Sequence, residues 1–169
     1  HAVIRKLLCA AVARAVKGGV KFDYMPTLTG PQGIGKSTFL SILGKEWFSD
    51  SLTTFEGKEA AELIQGTWIN EVGELTAFTK QETQTIKQFL SKTDDIYRAA
   101  YGRRTEKYPR RCVFCGTSND SEFLKDSTGN RRFWPVDVGE HPAVKSVWKD
   151  LPGEVDQIWA EAYMLYALG

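Results

Sequence analysis

Residues 30–37 read Gly30-Pro31-Gln32-Gly33-Ile34-Gly35-Lys36-Ser37. The spacing fits G-x-x-x-x-G-K-[ST], the pattern of a phosphate-binding loop. Phosphate needs many donors close together, and glycines let the backbone curl so that successive N–H groups point inward. A helix starting at Ser37 adds its partly positive N-terminus. In this pattern Lys36 is expected to reach the β- and γ-phosphates of a nucleotide and Ser37 to ligate Mg2+, with Thr38 a neighbouring hydroxyl. The flanks suit it: Met25 to Thr29 reads as a short strand, and Ser37 to Leu43 as a helix stopped near Gly44.

The rest of the chain continues the alternation. Val3, Leu7, Leu8, Ala11, Val12 and Ala15 recur at helical spacing over residues 2–17, before Gly18-Gly19. Further helices are expected at Glu59–Ile64, at Lys80–Leu90 and over the C-terminal face Val155, Ile158, Trp159, Ala162, Leu165 and Tyr166. Strands are expected at Thr67–Val72, Arg111–Gly116 and Phe133–Val138, with Ile96–Ala100 and Thr105–Tyr108 flanking a basic turn. Strands alternating with helices predict an α/β fold. The 169 residues suffice for one core, and no linker divides them, so residues 1–169 are read as a single domain. The start at His1 without a Met is expected of a fragment of a longer protein.

No apolar run reaches the roughly 18 residues of a membrane span, and no signal peptide is visible, so no membrane partner is expected. Three cysteines are too few for a disulfide framework and point to a reducing, cytoplasmic setting. Cys112 and Cys115 form a C-x-x-C, but on a strand residues i and i+3 face opposite ways, which favours core packing over a shared metal. The net charge of +1 conceals segregation. Residues 51–86 sum to −4, whereas residues 87–111 carry 8 basic and 3 acidic side chains. That basic segment is the first sign of a polyanionic partner.

Hydrolysis needs carboxylates near the metal and the attacking water. Trp68-Ile69-Asn70-Glu71-Val72-Gly73-Glu74 places Glu71 at a strand end and Glu74 three residues on. Open α/β sheets put their active groups at strand ends. Glu71 is the expected metal ligand or catalytic acid, and Glu74 shares the task. The strand before Thr117-Ser118-Asn119 ends in a neutral amide, suited to sensing a γ-phosphate without adding charge. Arg131 and Arg132 follow the turn 126–129 and precede an aromatic strand. An arginine offered to a transferring phosphoryl group stabilises its developing charge.

Gly30–Thr38, Trp68–Leu75, Tyr97–Arg104, Pro109–Asn119 and Gly129-Asn130-Arg131-Arg132-Phe133-Trp134-Pro135 occur in an order that closely resembles the virulence-associated protein E family of phages and mobile islands. The resemblance spans nearly the whole chain. It implies a P-loop NTPase of AAA+-like type, related to superfamily 3 helicases. The implied architecture is a three-layer sandwich with a mainly parallel sheet and a β-hairpin before the sensor 1 strand. Lys36 and Ser37 then match Walker A, Glu71 and Glu74 the Walker B acids, Asn119 sensor 1, and Arg131 or Arg132 the arginine finger.

In superfamily 3 helicases the hairpin grips single-stranded DNA within a ring. Here that position holds Tyr101, Arg103, Arg104 and Lys107. Cations neutralise phosphates, and an aromatic ring stacks on bases. The resemblance implies an ATP-hydrolysing motor in replication of a phage or mobile element, with ATP and Mg2+, a ring hexamer and an upstream primase domain. An ATP-dependent DNA-binding switch or initiator without unwinding activity is the alternative. A small-molecule kinase fits the basic hairpin poorly.

Overall fold

The computed structural model describes residues 2–120 and 130–169. Helices α1 (Ala2–Val16), α2 (Lys36–Gly44), α3 (Gly57–Leu63), α4 (Lys80–Leu90) and α5 (Leu151–Leu168) alternate with strands. The strands are β1 (Met25–Thr29), β2 (Phe48–Ser49), β3 (Ile69–Val72), β4 (Asp94–Tyr97), β5 (Glu106–Pro109), β6 (Val113–Ser118) and β7 (Phe133–Asp137). Five of them form one parallel sheet in the order β2-β3-β6-β1-β7, while β4 and β5 pair separately as an antiparallel hairpin. Among the described residues, no helix is long and apolar enough to cross a membrane.

Every residue of β1, β3 and β6 is buried, as expected for parallel strands covered on both faces. Alternation along the chain sorts the core into two layers. Val113 and Cys115 pack with Leu7, Ala11 and Leu40 from α1 and α2, joined by Trp159 of α5. Cys112 and Phe114 pack with Ala60, Ile86, Phe89 and Leu90, on the side of α3 and α4. The two thiols of the C-x-x-C therefore lie on opposite faces of the sheet. Burial raises both thiol pKa values, that of Cys112 to about 11.

Local sequence explains several boundaries. A capping box fixes the start of α4: the Thr79 hydroxyl accepts from the Glu82 N–H, and the Glu82 carboxylate accepts from the Thr79 N–H at 2.7 Å. Ile86, Phe89 and Leu90 then make its buried face. The C-terminal helix begins four residues before the apolar stripe that marks it, with Pro152 in its first turn. Trp159 locks α5 down by donating to Leu43 O at 3.0 Å, with its ring centroid 4.2 Å from that of Trp68. The two-residue edge strand β2 was too short to leave a periodic signal in the sequence.

The hairpin departs furthest from the sequence reading. Its first strand covers Asp94–Tyr97 rather than Ile96–Ala100, so the connection is longer. The cause lies at the hairpin's base. Arg110 forms a two-pronged ion pair with Asp95 at 2.7 and 2.8 Å, and both side chains are buried. Its third nitrogen donates to Phe89 O at 2.6 Å, and its guanidinium lies 4.1 Å from the Phe89 ring centroid. Tyr97 and Tyr108 stack one step further out. Two of the eight basic residues of segment 87–111, Lys87 and Arg110, are thus buried rather than displayed. The helical Arg14 is fully buried as well, donating to Cys112 O, Val20 O and Phe22 O.

Breaking the Arg110–Asp95 pair from one side leaves an uncompensated buried carboxylate. Arg110→Ala is expected to cost about 3–5 kcal/mol of folding stability, measured by urea unfolding. A loss below about 1 kcal/mol, the range of exposed pairs, would contradict this.

Candidate functional site

The parallel register brings the C-terminal ends of the central strands together. Thr29 at the end of β1 lies opposite both Ser118 of β6 and Asp137 of β7. Glu71 of β3 lies opposite Cys115 of β6. The chain leaves β1 through the glycine-rich turn and enters α2 directly behind this edge. Backbone geometry there demands glycine at two points. Gly35 has φ +93, and a Cβ on it would meet a Val147 methyl at 2.5 Å. A Cβ on Gly30 would sit 2.3 Å from Val138 O. Gly35 caps α2 without a side-chain hydrogen bond, so no cap hydroxyl or carboxylate occupies the helix's first N–H groups.

A cavity of about 650 Å³ opens over this turn. It brings together Gln32, Gly33, Gly35, Lys36, Ser37 and Thr38 from the turn and α2 with Glu71, Glu74 and Asn119 from the strand ends. Gly30 and Pro31 line a neighbouring depression with Asp137. Ile34 turns its side chain toward Gly30 and Gly139.

Two polar groups organise the floor. Glu71 is buried, and its Oε1 accepts from Ser37 Oγ and from Thr117 Oγ1, each at 2.7 Å. The Lys36 ammonium donates to Gly30 O at 2.7 Å, Pro31 O at 2.8 Å and Asn119 Oδ1 at 3.0 Å. Desolvation lowers the Lys36 pKa, and the nearby Glu71 opposes that shift. Asn70 lies one step away on β3 and donates to Thr67 Oγ1 at 2.8 Å, so it takes no part in this network. Glu74 has φ 52 and ψ 44, the left-handed region that non-glycine residues rarely adopt.

No group of three or more His, Cys, Asp or Glu side chains among the described residues is placed to hold a metal ion. Among the described residues of the cavity, Glu71 and Ser37 already touch each other and offer one carboxylate and one hydroxyl side by side. That set suits a cation completing its shell with water and ligand oxygens, the habit of Mg2+, rather than a caged metal.

The remaining site candidates lie elsewhere. Arg131 is exposed, and Arg132 donates from Nε to Ser91 Oγ at 3.1 Å, toward the end of α4. Neither lines the cavity. The turn 126–129 before them lies outside the described residues. Tyr101, Arg103, Arg104 and Lys107 are all exposed on the hairpin, where Lys107 pairs with Asp94 at 3.2 Å.

Three residues at the site were not singled out from sequence. Thr117 shares the parity of Val113 and Cys115, which directs its hydroxyl to the α2 face. A period-two count along the strand would have found it. Asp137 accepts from the Thr29 hydroxyl, and Trp148 reaches the cavity from the segment before α5. Both depend on chain crossings that leave no local signal.

Comparison with known proteins agrees with this architecture. Two solved structures of the C-terminal region of NrS-1, one an apo structure of residues 305–718 and one an A-form apo structure, resemble the chain. Their TM-scores are 0.62 and 0.65, at 13% and 14% identity, over 94% and 95% of this chain. The chain spans only 40% and 41% of those structures, and at such identity the likeness shows a shared fold. No curated protein matches the sequence. A family model does, along the entire length: the chain belongs to the virulence-associated protein E-like domain family, whose model matches residues 1–169.

Proposed function

We propose that this domain is a P-loop ATPase of AAA+-like type that acts on DNA in replication of a phage or mobile genetic element, as a helicase motor. The observation that carries the reading is the convergence of Lys36, Ser37, Glu71 and Asn119 on one cavity behind a glycine-rich turn. Support comes also from a parallel sheet whose strand β6 lies between β1 and β3. That order places the end of β6 next to the phosphate loop. Family membership supports the replication setting.

The chemistry follows from the contacts. Lys36 satisfies its ammonium on three neutral oxygens. Phosphate oxygens would replace them with bonds in which donor and acceptor carry opposite charges. Backbone N–H groups of the turn and the start of α2 cradle the phosphates. Ser37 Oγ and Glu71 are the groups that would hold Mg2+, and the ion would supply charge neutralisation at the phosphates. Thr117 holds the Glu71 carboxylate in place. Glu74, at the cavity rim, orients and deprotonates the attacking water, while Asn119 contacts the γ-phosphate. Arg131, which is exposed, or Arg132, part-buried against Ser91, serves a neighbouring subunit's nucleotide within a ring. The hairpin presents Tyr101, Arg103, Arg104 and Lys107 to single-stranded DNA. An upstream primase domain belongs to the same reading.

Three outcomes test these assignments. Lys36→Ala is expected to reduce ATP turnover by roughly 10²-fold or more, measured as phosphate release with and without single-stranded DNA. Unchanged turnover refutes the phosphate-loop reading. Strand-separation assays on the same preparations separate a motor from an ATP-dependent switch.

Arg103→Ala combined with Arg104→Ala is expected to weaken single-stranded DNA binding. It should also flatten the slope of log K against log[salt] by about 1.4, the share of two neutralised phosphates. An unaltered slope removes the hairpin from DNA binding.

Glu74→Gly relieves the left-handed backbone and is expected to raise unfolding stability by about 1 kcal/mol while lowering ATP turnover. A stability loss in urea titration counts against the strain, and full turnover counts against the catalytic role.

A further inference from the structure

Trp148 stands apart among the large apolar residues. It is 57% exposed, yet it lines the same cavity as Lys36 and Ser37. Its six-membered ring lies directly over the turn: a Cβ on Gly35 would sit 3.2 Å from Cζ2 and 3.4 Å from Cη2. No aromatic ring among the described residues stacks on it. More than half of the Trp148 surface is thus open to solvent beside the candidate phosphate site.

The indole's position is held by a tight polar turn. Ser146 N donates to Asp150 Oδ2 at 2.6 Å, and Asp150 N returns to Ser146 O at 2.9 Å. The Ser146 hydroxyl accepts from the Trp148 and Lys149 N–H groups at 3.3 and 3.2 Å. Lys145 pairs with Glu154 across the turn at 2.6 Å, and the turn runs straight into α5. Trp159 and the Lys45–Asp156 ion pair fasten α5 to the end of α2. The Trp148 backbone is thus fixed to the helix whose N-terminus meets the phosphates.

Trp148 enters the cavity from the α5 side, across Gly35, whereas Glu71, Glu74 and Asn119 enter from the ends of β3 and β6. The carboxylates and the amide mark where the terminal phosphate reacts. The remainder of a nucleotide extends away from those groups, and among the described residues Trp148 is the aromatic ring that lines the cavity with them. An indole face offers what a nucleobase binds, since every base has a π face and stacking needs no matched donor or acceptor.

We infer that Trp148 is the base-stacking platform of this site, so that the ligand is a nucleoside triphosphate gripped at both ends, its phosphates by the glycine-rich turn and its base by the indole. This rests on the nucleotide reading proposed above.

Inorganic tripolyphosphate separates the two ideas, because it has phosphates and no base. The test titrates ATP and tripolyphosphate, each with Mg2+, into the full 169-residue chain and into its Trp148→Ala and Trp148→Phe variants by calorimetry. Trp148→Ala is expected to weaken ATP about 10-fold or more, within the range of alanine substitution at base-stacking aromatics. Tripolyphosphate affinity should stay within about 2-fold, because the cradle of phosphate donors is intact. Trp148→Phe should restore most of the ATP affinity. Equal ATP affinity in Trp148→Ala, or an equal loss for both ligands, overturns the stacking role while leaving the phosphate site standing. A wild-type chain that binds neither ligand overturns the nucleotide reading and this inference with it.

Discussion

The site depends on one buried carboxylate held by two hydroxyls. Glu71 of β3 accepts from Ser37 at the start of α2 and from Thr117 of β6. A buried carboxylate is costly unless its lone pairs are satisfied, so these two short bonds are a condition of its being there. They also tie together three elements separated by 34 and 46 positions in the chain. Once β6 lies between β1 and β3, the glycine-rich turn, the acid and the strand-end amide share one cavity. Displacing any of the three elements would strand the charge.

A second buried charge cluster organises the hairpin. Arg110 and Asp95 neutralise each other within an apolar setting of Phe89 and Phe114. Such a pair contributes less to stability than its geometry suggests, because both ions give up hydration. It does specify where the hairpin begins and how it is oriented. Arg110 stands three residues before β6, and β6 ends at the cavity with Thr117 and Ser118. The hairpin root and the candidate catalytic floor are therefore opposite ends of one fully buried strand.

Burial changes the meaning of the charge pattern. The basic segment 87–111 suggested a polyanion partner from its residue count. Part of that count is internal, since Lys87 and Arg110 are buried. Of the exposed remainder, Lys92 and Arg111 lie outside the hairpin, while Arg98, Arg103, Arg104 and Lys107 lie along it with the fully exposed Tyr101. The electrostatic field at the tip comes from fewer charges, more closely grouped.

The sequence alone determined the phosphate-loop pattern, the limits of α4 and the candidate acids. Each of these is written in short-range chemistry: glycines where backbone curvature is needed, a capping box at Thr79 and Glu82, a strand ending in Glu71. Tertiary structure decided what lies beside what. Trp148 and Asp137 reach the site only because α5 folds back on α2 and β7 pairs with β1. Neither crossing leaves a local periodicity. Arg14 and Arg110 look like surface charges in the sequence, because charge at a helical or strand position ordinarily faces water. They are buried because distant carbonyls and a carboxylate supply hydrogen bonds in place of hydration, and only the folded chain brings those groups within reach.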